Sequence, residues 1–232
     1  MNRSAVLFAV LLLAFSASAQ TVSSVGADSA FQVRYASNLN AGDGLINISN
    51  TGALGAALPA GTTASIVGSL CVNVYAFSPD EQMISCCSCP VTPNGLVNLT
   101  AQRDLISNTL TPAVPTSIVV KLLASVPSRG SCANSAANPI PVIPVPPEAV
   151  VSSPVGSFFP PGMVAWGTTI HSANTGGVGG PWSLTETAFT PATLSLGELR
   201  RLADLCTFIN ANGSGFGICR SCRLGGLGAG RQ

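Results

Sequence analysis

The chain has 232 residues, 47% of them hydrophobic and 8% charged, with 10 Lys+Arg against 9 Asp+Glu, one histidine and 8 cysteines. A charged share far below the usual level of about 25% leaves no basic stripe to neutralise phosphates, which excludes nucleic-acid binding by counterion release. It also excludes disorder driven by high charge, and a single histidine excludes sites that need several from one chain.

The N-terminus carries Arg3, an apolar run over residues 5–15 and the small residues Ser16-Ala17-Ser18-Ala19. This is the order of a secretory signal peptide over residues 1–19, with Ala17-x-Ala19 as its cleavage box. The run is too short for the roughly 30 Å hydrocarbon core. Cleavage leaves Gln20 first and removes Arg3, so the mature formal charge becomes 9 minus 9, or zero. No cysteine follows the box to take a lipid, and no later apolar run reaches the roughly 18 residues of a span. The expectation is a secreted protein, periplasmic, outer-surface or extracellular, with no integral membrane segment after cleavage.

Short β-type runs punctuated by Gly, Pro, Asn and Asp follow, over residues 31–37, 44–48, 64–67, 71–77, 82–86, 96–99 and 117–123. Val72-Asn73-Val74-Tyr75-Ala76-Phe77 alternates, yet both faces are fairly apolar, as in a strand buried between two layers. Ser78-Pro79-Asp80-Glu81 reads as a turn, since Pro sets φ and Asp bonds local backbone. Pro93-Asn94-Gly95 is a second turn signal. Residues 133–161 are rich in proline and read as a surface excursion or a crossover between sheet halves; a Pro-binding partner is the rival reading there. Runs at 163–171 and 182–189, separated by a glycine-rich stretch, read as a long-looped hairpin of the same sandwich. Ser195-Leu196-Gly197-Glu198 is a capping box that opens a helix. Leu196, Leu199, Leu202, Ala203, Cys206 and Ile209 form its apolar face, and Asn212-Gly213 ends it.

The eight cysteines, Cys71, Cys86, Cys87, Cys89, Cys132, Cys206, Cys219 and Cys222, all lie beyond the signal peptide. An even number in an exported chain reads as disulfides, with the connectivity left open. Adjacent Cys86 and Cys87 should point to opposite sheet faces, whereas Cys87 and Cys89 share one. A hairpin turn at residues 78–81 would bring Cys71 level with residues 87–89. A four-thiolate zinc site is the rival, but the spacing lacks paired C-x-x-C ligands. Cys219-Arg220-Ser221-Cys222 has redox spacing, but it follows a helix where active redox motifs open one; a tie to the helix near Cys206 is expected instead. The glycine-rich segment 225–230 reads as a tail rather than a dinucleotide loop.

No catalytic residue, metal ligand or cofactor is assigned. His171 reads as a strand-end surface residue, since no orienting acid or nucleophile elbow accompanies the following Ser172. Asp80, Glu81 and Glu186 make no convincing carboxylate pair. Trp166, Trp182, Tyr35 and Tyr75 read as packing residues, with a sugar-stacking platform as the alternative. Asn47, Asn98 and Asn212 occupy N-glycan acceptor patterns. Lys121 reads as an exposed edge lysine, with an internal amide cross-link as the alternative.

The segments CVNVYAFSPDEQMISCCSCPVTPNGLVNLTAQRDLISNTLTPAVPTS and LRRLADLCTFINANGSGFGICRSCRLGGLG, with their CC-x-C-P and GFGIC-x-x-C patterns, resemble exported proteins of acidobacteria. That resemblance implies export and a shared cysteine framework, and it transfers no activity.

The expected architecture is a mainly β, disulfide-tied antiparallel β-sandwich of Ig-like type over residues 20–194. Residues 195–232 add one C-terminal α-helix and a cysteine-containing tail packed on it. The expected role is a non-enzymatic structural, adhesive or assembly protein of the cell envelope or extracellular space. A neutral surface permits self-association, and residues 21–40 could complement a neighbour's sheet edge. The alternatives are a glycan- or ligand-binding module and a thiol-redox protein using Cys219 and Cys222.

Overall fold

The computed structural model describes residues 30–55, 68–127, 132, 159–172, 182–220 and 223–224. The signal peptide, the strand expected at 64–67, most of the proline-rich stretch, Cys222 and the glycine-rich tail lie outside the described residues.

Among the described residues, ten strands form two antiparallel five-stranded sheets. In chain order they are β1 (Phe31–Ala36), β2 (Leu45–Asn50), β3 (Leu70–Phe77), β4 (Met83–Val91), β5 (Leu96–Thr100), β6 (Ile118–Ser125), β7 (Met163–Ser172), β8 (Trp182–Ala188), β9 (Thr190–Pro191) and β10 (Arg223–Leu224). Sheet A has the order β4-β3-β6-β1-β9 and sheet B the order β10-β5-β2-β7-β8. A π-helical turn, Ala101–Ile106, follows β5, and the helix α1 covers Leu196–Ala211. The expected disulfide-tied antiparallel β-sandwich with a C-terminal helix is the fold observed among the described residues.

Among the described strands, β3–β4 and β7–β8 are the only sequential neighbours paired within one sheet; every other consecutive pair from β1 to β9 belongs to different sheets. The turn at residues 92–95, where Gly95 N donates to Thr92 O, thus hands the chain from sheet A to sheet B. Strand β6 belongs to sheet A and β7 to sheet B; most of the proline-rich stretch between them lies outside the described residues.

Side chains alternate across each strand. Ile118, Val120 and Leu122 of β6 and Val72 and Val74 of β3 meet Ile46, Ile48, Val97, Leu99 and Met163 of sheet B in the inter-sheet core. The other face of sheet A carries Tyr75, Leu123 and Phe77, buried under α1 with Leu199, Leu202 and Ile209. Every residue of β3 is buried because the strand lies between these two layers. Burial raises the pKa of the Tyr75 phenol, so this residue belongs to the core and not to a sugar-stacking surface.

Ser195 caps α1 by accepting from Glu198 N at 3.1 Å. The reciprocal half of the capping box is replaced: the Glu198 carboxylate pairs with Lys121 Nζ instead. The exposed-edge reading of Lys121 is therefore corrected. Lys121 occupies central strand β6, partly buried beneath α1, with its ammonium 4.7 Å from the Phe77 ring centroid. The ion pair and the ring provide the partners a half-buried ammonium needs.

Candidate functional site

Three disulfides are described, Cys71–Cys132, Cys86–Cys206 and Cys87–Cys219, spanning sequence separations of 61, 120 and 132. Cys89 is also disulfide-bonded. The six cysteines just named are paired with one another, so the partner of Cys89 lies outside the described residues. No described cysteine is a free thiol. Oxidised sulfurs offer no thiolates, which removes the four-cysteine zinc reading. Among the described residues no three His, Cys, Asp or Glu side chains group as a metal site.

Alternation along β4 explains how two adjacent cysteines reach different destinations. Val72 pairs with Cys89, Val74 with Cys87, and Tyr75 with Cys86. Cys86 therefore shares the helix-facing side with Tyr75 and bonds Cys206 on α1. Cys87 and Cys89 share the opposite side with Val72 and Val74. Cys71 lies opposite Pro90, one position from the expected level, but its partner is Cys132 and not a β4 cysteine. Cys219 is bonded to Cys87, so Cys219 and Cys222 do not form a C-x-x-C disulfide with each other. The tie expected between tail and helix is made indirectly, with Cys206 and Cys219 each bonded to neighbouring residues of β4.

The same segment closes the open edge of sheet A. Cys86 N donates to Gly217 O at 2.8 Å, Cys219 N donates to Cys86 O at 3.3 Å, and Ile218 forms a parallel bridge with Cys86. Gly217 has φ +78°, and a Cβ there would come within 2.8 Å of Ile209 Cγ2, so glycine suits the position on both counts. Further on, β10 pairs with β5, placing Arg223 opposite Asn98 on the margin of sheet B. One short stretch of chain thus engages an edge of each sheet.

The other end of the sandwich is built differently. Arg34 of β1 is 7% exposed and reaches across to sheet B, where Nη2 donates to Thr169 Oγ1 at 2.8 Å and Nε to Thr187 Oγ1 at 3.1 Å. Burial lowers its pKa from the usual guanidinium value. Gly167 makes room for it, since a Cβ would lie 2.9 Å from Arg34 Nη1. Beyond Arg34 the sheet overhangs its partner: every residue from Ser183 to Ala188 is exposed, although successive residues point to opposite faces.

The outer face of sheet B holds some of the remaining candidates. Asn47 lies opposite Asn98 on one side and Trp166 on the other, and Asn98 Nδ2 donates to Asn47 Oδ1 at 2.8 Å. Val164 and Leu184 are exposed on the same face. Tyr35, 59% exposed, lies on the outer face of sheet A. Trp166, Tyr35 and Tyr75, three of the four residues of the alternative platform reading, are therefore divided between two outer faces and a core. His171, partly exposed, pairs in register with Ser183 near the end of β7. Asp80 and Glu81 lie on the β3–β4 turn and Glu186 on β8, in separate regions of the fold. Asn212 ends α1 in an exposed position.

Besides Arg34, sequence reasoning missed three polar ties, at Asn50, Asp43 and Asp104. Asn50 Nδ2 donates to Gly68 O and Val91 O at 2.8 and 2.9 Å while its Oδ1 accepts from Gly52 N. Asp43 accepts from Gln102 N at the start of the π-helical turn, and the buried Asp104 accepts from Thr100 N at 2.7 Å. The Asn50–Thr51–Gly52 turn chemistry was legible in sequence; the distant carbonyls it reaches were not.

No helix among the described residues is long and apolar enough to cross a membrane. No protein-family model matches the chain, and neither a curated protein nor a solved structure matches it.

Proposed function

We propose that this is an exported, non-enzymatic structural, adhesive or assembly protein of the cell envelope or extracellular space. The observation that carries this reading is the oxidised cysteine set, which binds a β-strand, a helix and the C-terminal segment into one covalent unit. Disulfides persist in oxidising compartments, and an edge secured in this way resists local opening and proteolysis. The N-terminal sequence fits export. A shared cysteine framework with the acidobacterial exported proteins it resembles forms part of this reading.

Fractionation of the native host, with thiol trapping before lysis, tests the proposal. The expected result is a chain beginning at Gln20, recovered with envelope or extracellular material and inert to the thiol reagent. Recovery in the cytosol with reactive thiols would overturn it.

One observation favours a second reading, a module for neutral glycans. Trp166 sits beside the hydrogen-bonded amides of Asn47 and Asn98 on an outer sheet face, and an indole next to amides can stack and hydrogen-bond a sugar. A glycan array would show binding that Trp166→Ala abolishes; no binding across neutral glycans would reject this reading.

A further inference from the structure

We propose that a second copy of this chain joins sheet B along β8, in an antiparallel, two-fold arrangement centred on Thr185. This inference rests on the assembly reading above and identifies the surface it would use.

The edges of the two sheets are treated unequally. The β4 edge is covered by residues 217–219. The β1 edge carries only the two-residue β9, which ends in Pro191. The β5 edge carries the two-residue β10. Short strands, proline and covering segments are the usual protections against edge pairing. By contrast β8 has seven residues, contains no proline or lysine, and pairs among the described strands only with β7. Its exposure on both faces means that it gains little from burial, and an isolated ladder to one neighbour is weak support for a regular strand.

The hydrogen-bond parity fixes which backbone groups are available. Phe189 N donates to Ala165 O, and the β7–β8 register continues as Thr187 with Gly167, Thr185 with Thr169 and Ser183 with His171. In an antiparallel ladder these alternate residues face β7, so the N–H and C=O groups of Leu184, Glu186 and Ala188 point to the open edge.

These groups are self-complementary. With the axis at Thr185, Leu184 lies opposite Glu186 of the second copy, so outward-pointing groups meet outward-pointing groups. This register overlaps the whole strand. It also places the one charged residue of β8 against a leucine instead of against its own copy, where like charges would repel. On the other face Ser183 lies opposite Thr187 of the second copy, and the two Thr185 side chains meet, pairs suited to hydroxyl hydrogen bonding. A chain with a formal charge of only +1 adds little long-range repulsion. Pairing would create one continuous sheet from two isologous edges.

Sedimentation and light scattering of the exported, oxidised protein over a wide concentration range provide the test. The wild type should double in mass as concentration rises. Glu186→Pro removes an N–H directed at the open edge while sparing the β7 ladder, so it should remain monomeric with the melting temperature of dilute wild type. Leu184→Lys, which puts a charge on the same edge, should give the same result if the proline variant fails to fold. A wild type that stays monomeric at every concentration, or a dimer that survives in both variants, would overturn β8 pairing. In either case the fractionation experiment still decides the broader proposal independently.

Discussion

Sheet A and sheet B use similar strands but are secured in different ways. Sheet A is covered on one face by sheet B and, around β3 and β4, on the other by α1, and its β4 edge is bonded through Cys86 and Cys87 to the helix and the C-terminal segment. Sheet B is buried on one face, and at β8 it extends past its partner with residues 183–188 exposed. Covalent and hydrophobic stabilisation therefore concentrate at one end of the molecule, leaving hydrogen-bonding capacity at the other. A fold built this way can hold a recognition edge rigidly without spending core residues on it.

The largest effect should come from opening the secured end. With Cys87–Cys219 left intact, replacing Cys86 and Cys206 together with serine opens an effective loop of about 15 residues, running from Cys86 through Cys87 and Cys219 to Cys206, which chain-entropy arguments value at about 3 kcal/mol. Denaturant titration should show a loss of that order. A loss below about 1 kcal/mol would mean that packing alone secures α1 to sheet A.

Truncation on the two outer faces sharpens the contrast further. Leu202 is fully buried between α1 and sheet A, so Leu202→Ala should cost about 3 kcal/mol. Val164 is 46% exposed on sheet B, so Val164→Thr should change stability by no more than about 0.5 kcal/mol. Comparable losses at both positions would show that the outer face of sheet B is covered as well.

A smaller, pH-dependent effect isolates the layer under the helix. Burial raises the Tyr75 pKa, so above the ordinary value of about 10 the unfolded chain ionises there while the folded chain stays neutral. The folded state then binds the extra proton, and stability falls as pH rises by up to about 1.4 kcal/mol per unit. Thermal unfolding should show this decline above pH 10 in the wild type and a shallower one in Tyr75→Phe. Equal slopes would place Tyr75 in contact with water.

Local features of the fold were legible in the sequence, and non-local ones were not. The opposite facing of Cys86 and Cys87 follows from strand alternation, and the start of α1 follows from Ser195. Each depends on residues a few positions apart. The partner of Glu198 was not legible, because Lys121 arrives from a strand 77 positions away and displaces the expected capping contact. Pro93-Asn94-Gly95 announces a turn, but nothing local says that the turn changes sheets. The openness of β8 did leave a trace: Ser183, Thr185 and Thr187 occupy the parity that would face a core, and none is apolar. Arg34 was hidden for the opposite reason, since its burial depends on threonines more than 130 residues away.

Disulfide mapping of the protein purified unreduced from its native compartment tests the central claim most directly. Proteolytic peptides should link Cys71 to Cys132, Cys86 to Cys206 and Cys87 to Cys219. The remaining cysteines predict a fourth peptide joining Cys89 to Cys222. A Cys219–Cys222 peptide, or free thiols at Cys86 and Cys87, would contradict the covalent lock on which this account depends.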